Sequence, residues 1–143
     1  MHPPDTAPPC ERLTRIIYVE DDDLMADIVK ILLTDAGYLI GVIGHGTLAY
    51  ETIAFKKPDL VILDRSLPGM QGIEILERLR TAPETYLIPV LMLTAAGGRD
   101  KIDEGLGAGA DGYLVKPFDP EALVRKVEGI LDNSLFNRSG RRT

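Results

Sequence analysis

The chain has 143 residues, 45% of them hydrophobic and 27% charged, enough for one domain with a buried core and too few for a second once the ends are set aside. Asp5 and Glu11 against Arg12 leave residues 1–13 at −1, while Arg138, Arg141 and Arg142 put residues 133–143 at +3; with −6 for the whole chain, the body between carries −8. So acidic a body excludes nucleic-acid binding through its own surface, because phosphates need a positive footprint; it suits a divalent cation or a basic patch on a partner.

The single cysteine, Cys10, allows no intrachain disulfide, which suits the cytosol. The opening MHPPDTAPPC has neither the basic nor the apolar region of a signal peptide. The longest apolar runs are strand-sized, such as Leu60–Leu63, far short of the roughly 18 residues of a membrane span. These features predict a soluble, cytoplasmic protein that engages no membrane. Prolines in residues 1–13 and the absence of apolar periodicity predict a disordered N-terminal tail. Residues 14–132 form the domain, and the polar, basic residues 133–143 read as a frayed end or the start of a linker.

Strand-length apolar runs alternate with amphipathic stretches along the body. The strands are Ile16–Val19, Leu39–Ile43, Leu60–Leu63, Val90–Leu93 and Gly112–Val115. The first, third and fourth are continuously apolar, as in a parallel sheet covered on both faces. After the first strand, Leu24, Ile28, Ile31 and Leu32 recur at helical spacing, and Gly37 stands where a helix ends. A weaker stripe marks a second helix over Thr47–Lys56. The third, Gly72–Arg80, turns Ile73, Leu76 and Leu79 inward, with Pro83 just beyond. The fourth, near 99–107, has only Ile102 and Leu106 as apolar anchors and contains Gly105 and Gly107, which predicts the least stable element of the fold. The fifth opens on Asp119-Pro120, an N-cap followed by proline at the first helical position, and buries Leu123, Val127, Ile130 and Leu131. Five such units imply a doubly wound α/β sandwich.

In open α/β sheets, ligands sit beyond the carboxyl ends of the strands. There the sequence places Glu20-Asp21-Asp22-Asp23 after the first strand, Asp64 after the third, Thr94 after the fourth and Lys116 after the fifth. Each has a plain structural explanation: acids cap helices, Asp64 can start the turn Ser66-Leu67-Pro68-Gly69, and a lone Lys is commonly solvated. Four such coincidences at one edge are less economical than one site. Clustered carboxylates repel unless a cation neutralises them, and Mg²⁺ prefers hard oxygen ligands and bridges carboxylate to phosphate. A hydroxyl and an ammonium on the same cluster suit a phosphoryl group, and a carboxylate can accept one covalently.

The segments Ile17-Tyr18-Val19-Glu20-Asp21-Asp22, Pro58-Asp59-Leu60-Val61-Ile62-Leu63-Asp64, Leu67-Pro68-Gly69-Met70, Leu93-Thr94-Ala95 and Ala108 to Phe118 together resemble the response-regulator receiver family over residues 14–132. Thr94, Tyr113 and Lys116 fall 30, 49 and 52 residues after Asp64, in the family's register. The resemblance implies a flavodoxin-like five-stranded parallel sheet in order 2-1-3-4-5. It implies that Asp64 accepts a phosphoryl group from a sensor histidine kinase or phosphotransfer protein, with Mg²⁺ on Glu20, Asp21, Asp64 and the Ser66 carbonyl. Thr94 and Lys116 would hold the phosphoryl oxygens, Tyr113 would be the switch aromatic, and Lys116–Pro117 would be cis. A phosphoacceptor switch of this kind is not an enzyme beyond promoting its own phosphorylation and dephosphorylation. Its helix 4–strand 5–helix 5 face would address a downstream effector or a second copy in a homodimer. Gly112, Ser66 and Ala96 depart from common family choices at their positions, the last two beside the phosphoryl group.

Three alternatives differ in class or extent. The first takes the chain as a receiver fragment of a larger regulator with an output domain. An aspartate-nucleophile phosphatase wants a second acid two residues after the nucleophile, where Ser66 stands. A receiver used only for docking would not need Glu20, Asp21, Asp64, Thr94 and Lys116 intact.

Overall fold

The computed structural model describes residues 13–142, with side chains through Ser134; the expected N-terminal tail lies outside these residues apart from Leu13. Ten elements alternate: β1 (Arg15–Val19), α1 (Asp23–Asp35), β2 (Leu39–Ile43), α2 (Gly46–Lys56), β3 (Leu60–Leu63), α3 (Gly72–Thr81), β4 (Val90–Thr94), α4 (Arg99–Gly107), β5 (Gly112–Val115) and α5 (Pro120–Arg142). The five strands are all parallel, in the order β2-β1-β3-β4-β5. From β1 the chain steps outward to β2 and then returns to β3 on the other side, so the crevice between loops opens at the carboxyl ends of β1 and β3.

The continuously apolar strands are buried on both faces. One face sets Ile17, Val19, Val61, Leu63, Val90 and Met92 against Ile53 of α2 and Ile75, Leu76 and Leu79 of α3. The other sets Ile16, Tyr18, Leu60, Ile62, Leu91 and Leu93 against Val29 and Leu33 of α1 and Leu123, Val127 and Ile130 of α5. Edge strand β2 is half open, and its alternation is correspondingly weak.

Three helices sit differently from their sequence patterns. In α1 the stripe Leu24, Ile28 and Ile31 faces outward, with Leu24 70% and Ile31 61% exposed, while Ala26, Val29 and Leu33 are buried. Apart from the side that carries Asp27, Lys30 and Thr34, the helix is broadly apolar, so two stripes overlap, and the one containing the small Ala26 lies on the sheet. In α4, Ile102 packs on the core but Leu106 is 44% exposed, and Gly105 is the one fully buried residue of the helix. In α3, Ile75 is buried where Ile73 was the expected contact, and Ile73 is half-buried.

The α5 backbone stays helical through Arg142, past the expected limit at 132, and no proline or glycine stands between Ile130 and Ser139 to stop it. Asp119 opens it, its Oδ1 accepting the Glu121 amide at 3.2 Å. Among the described residues no helix is long and apolar enough to cross a membrane.

Arg80, at the end of α3, closes the fold at the amino-terminal side of β4 and β5. Its guanidinium donates to the carbonyls of Ile88 (2.7 Å) and Gly109 (2.9 Å) and to the Asp111 carboxylate (2.9 Å), which also accepts the Val90 amide at 2.8 Å. Truncation strands several half-buried acceptors at once. Arg80→Ala should therefore lower stability by about 2–3 kcal/mol, read as a shift of the urea midpoint. Arg125→Ala, which removes only an exposed pair with Glu121 at 3.9 Å, should cost less than about 0.5 kcal/mol.

Candidate functional site

The ladder brings the predicted residues together. Val19 pairs with Leu63, and the Asp64 amide donates to the Val19 carbonyl at 3.2 Å, which sets Glu20 and Asp64 at the same level. Thr94 pairs with Val115 and its carbonyl accepts the Lys116 amide at 2.9 Å, so both end their strands on that edge. The Lys116–Pro117 peptide is cis. At Gly72 the first turn of α3 passes so close that a Cβ would lie 2.0 Å from the Asp64 carbonyl oxygen, leaving room for no side chain.

The acidic run after β1 divides into separate tasks. Glu20 is buried, and one oxygen each of Glu20, Asp21 and Asp64 lie within 4.8 Å of one another. Asp22 is the N-cap of α1, its Oδ1 accepting the Leu24 amide at 3.1 Å, and Asp23 lies in the first helical turn. The run thus divides, with Glu20 and Asp21 in the carboxylate cluster and Asp22 and Asp23 at the start of α1.

Lys116 reaches into the cluster. Its ammonium donates to Glu20 Oε1 in a short contact and to Asp64 Oδ2 at 3.1 Å. The Asp64 Oδ1 accepts the Ser66 amide at 3.2 Å, and the side chain of Ser66 itself is exposed. Thr94 is 1% exposed, its hydroxyl oxygen accepting the Ala96 amide at 3.2 Å. Tyr113 is turned inward, 8% exposed, and its hydroxyl donates to the Ala96 carbonyl at 2.5 Å.

Glu20 has a partner that the motif search passed over. Tyr18, fully buried in β1, donates its hydroxyl to Glu20 Oε1 at 2.7 Å. The signal was present as a hydroxyl-bearing aromatic two residues before an acid in an aliphatic strand, because residues i and i+2 share a face. Arg65, next to Asp64, is also buried and was assigned no part.

The electrostatics of the cluster have one sign. Burial raises the Glu20 pKa, helped by the charge of Asp64, against the lowering by its bonds from Lys116 and Tyr18. Burial alone would lower that of Lys116, but the bond to Glu20 and the charges of Asp64 and Glu20 outweigh it and the ammonium is held more tightly. One ammonium does not neutralise three carboxylates, so the site has a place for further positive charge. Hard oxygen donors in this number fit a small divalent cation.

A parallel sheet in this order is a doubly wound α/β domain, and its carboxylate cluster and lysine stand at the switch point where such folds hold ligands. Comparison with known proteins names the class. The response regulator receiver domain profile matches residues 16–128. The chain is 40% identical over 119 residues to the phosphate regulon transcriptional regulatory protein PhoB of Rhizobium meliloti (strain 1021), covering 83% of this chain and 52% of the relative. It is 41% identical over 117 residues to the DNA-binding response regulator MtrA of Mycobacterium tuberculosis (strain ATCC 25618 / H37Rv), covering 82% and 50%. The chain thus spans about half the length of the curated relatives it matches. Among solved structures, the chemotaxis response regulator CheY4 of Vibrio cholerae superposes with a TM-score of 0.78 at 31% identity, covering 83% of this chain and 99% of that one. The BeF3-activated N-terminal receiver domain of Klebsiella pneumoniae RstA gives 0.77 at 30%, covering 82% and 98%. This chain belongs to the response regulator receiver family.

Tyr18 provides a spectroscopic reporter of the site. Burial, the bond to Glu20 and the charges of Glu20, Asp64 and Asp22 push its phenol far above the ordinary value. Unfolded, Tyr18 loses its proton near 10. Above that pH the unfolded chain therefore binds fewer protons than the folded one, and stability falls as pH rises. In an alkaline absorbance titration of the folded protein, Tyr18 should stay protonated well beyond its ordinary value, and Tyr18→Phe should remove that late step.

Proposed function

We propose that Asp64 is the phosphoacceptor of this chain and that Mg²⁺ is held by Glu20, Asp21, Asp64 and the backbone carbonyl of Ser66. The observation that carries the proposal is the ammonium of Lys116 on Asp64 Oδ2, within a cluster of three carboxylates, two of them buried, at the switch point of the sheet. A bound divalent cation would screen the carboxylates from the incoming phosphoryl group and offset its charge. The chain's own residues do the rest. An oxygen of Asp64 forms a bond to phosphorus as the bond to the donor imidazole breaks, which leaves an acyl phosphate on Asp64. Lys116 stays beside the modified carboxylate and can donate to a phosphoryl oxygen, as can the hydroxyl of Thr94 once released from the Ala96 amide. Closure of Thr94 on the phosphoryl group changes the space available to Tyr113, whose hydroxyl is bonded to the Ala96 carbonyl. The domain acts as a switch that promotes its own phosphorylation and dephosphorylation, with no external substrate pocket required.

The donor is a sensor histidine kinase or a phosphotransfer protein in the cytoplasm. The output lies in a downstream effector, or in an output domain of a longer regulator, since the PhoB and MtrA relatives are about twice as long as the matched region. The α4–β5–α5 face is the surface that reports the state, to the effector or to a second copy in a homodimer. The body's charge of −8 leaves DNA contact to other parts of such a regulator.

Acetyl phosphate or a cognate kinase should add one phosphoryl group, seen as a mass shift, and Asp64→Asn or EDTA should abolish it. Full labelling of Asp64→Asn would refute the assignment. Asp21→Ala should weaken Mg²⁺ binding at least about tenfold while Asp23→Ala, in the first turn of α1, leaves it nearly unchanged, as measured by calorimetric titration. Equal effects would reduce the acidic run to helix capping.

A further inference from the structure

Arg65 is the buried charged residue for which phosphoacceptor chemistry has no use. It follows Asp64 directly, its side chain is 10% exposed, and every bond found for it goes to α4. One guanidinium nitrogen donates to the Lys101 carbonyl at 3.0 Å, and another forms a close ion pair with Glu104. Burial lowers the guanidinium's pKa, but the bond to Glu104 and the neighbouring Tyr113 outweigh it, and Arg65 in turn holds the exposed Glu104 carboxyl below the usual range. The side chains of Asp64 and Arg65 thus diverge from consecutive positions, the first into the carboxylate cluster and the second onto α4.

The helix that Arg65 grips has little else to fix it. Its buried residue, Gly105, has no side chain, and the ring of Tyr113 occupies the space where one would be, 2.8 Å from the Cβ position. Inward Tyr113 and α4 therefore fit each other in one arrangement, with Ile102 as the only other apolar contact of the helix with the core. A helix so thinly packed is among the first elements to move.

We propose that Arg65 is a positioning residue that couples the phosphoacceptor loop to α4, holding the helix over inward Tyr113 through Lys101 and Glu104. This link runs from Asp64 along the backbone to Arg65 and into α4. It reaches α4 without passing through Thr94, and the two routes meet at Tyr113, so a displacement of the Asp64 loop on phosphorylation acts on the signalling face from two sides. The proposal rests on the reading of Asp64 as phosphoacceptor for its role in signalling, while the link itself exists in the unmodified protein.

Amide hydrogen exchange on the full chain tests it, comparing 97–109 with the central strand residues 60–64 in wild type, Glu104→Ala, Arg65→Met and the double variant. Glu104 is exposed, so its variant folds even if Arg65→Met does not. In the free protein, Glu104→Ala should raise exchange across α4 about fivefold with 60–64 unchanged. Arg65→Met, which loses both bonds, should raise it further, and the double variant should match Arg65→Met alone. Beryllofluoride on Asp64 should then change exchange at 97–109 in wild type and change it by less than half as much in Glu104→Ala. Unaltered α4 exchange in Glu104→Ala, additive effects in the double variant, equal acceleration at 60–64, or an undiminished beryllofluoride response would each overturn the proposal. Failure of wild type to respond to beryllofluoride would count against the phosphoacceptor reading instead, and the free-state comparison would still decide the Arg65 link.

Discussion

Repulsion among three carboxylates and its partial relief by one ammonium organise this molecule. Glu20, Asp21 and Asp64 approach within 4.8 Å at an edge where two of them are buried, and Lys116 bonds two of the three. Like charges at that separation are tolerated only with compensation nearby. Everything around the cluster supplies it in measured amounts: the phenol of Tyr18 on Glu20, the amide of Ser66 on Asp64, the amide of Asp22 on the second Glu20 oxygen at 3.3 Å. The compensation is incomplete, and a site left short of positive charge is ready for a cation and for chemistry that alters its charge.

The parallel sheet makes this arrangement possible. Strands β1 and β3 are neighbours whose continuations diverge, so the first residues beyond them meet without competing for the same space. Burial of both sheet faces by five helices fixes the strand ends to the precision that close charges demand, because packed interiors yield little. Gly72 is the sharpest expression of that demand, since α3 begins against the backbone of Asp64 itself. Arg80 performs the opposite service at the far end, tying loops that carry no chemistry.

Rigidity ends at α4. There the packing is thin, the buried position is a glycine, and the ring of Tyr113 lies directly beneath it. A phosphoryl group can bias an equilibrium only where two arrangements lie within a few kcal/mol. On the proposed reading of Asp64, the contrast between a stiff acidic edge and a lightly held helix would give a local change of charge a distant readout. Arg65 spans that contrast, with its backbone in the stiff part and its guanidinium on the loose one.

The order of elements, the strands and the convergence of Glu20, Asp64, Thr94 and Lys116 on one edge were legible in the linear sequence. Apolar runs of strand length between helical stretches force a parallel sheet, and a parallel sheet puts the residue after every strand at the same rim. The acidic run after β1 was equally plain, but its division came only through the family resemblance and not from residue type, because capping and cation binding call for the same side chains. Nor could periodicity choose which stripe of α1 faces the sheet: Leu24, Ile28 and Ile31 are more apolar than Ala26, yet the close approach of helix to sheet favours the smaller residue. The partners of Tyr18 and Arg65 also came from the folded chain alone. A hydrogen bond such as that from Arg65 to Lys101, 36 residues away, leaves no periodic trace, and only packing in three dimensions makes it.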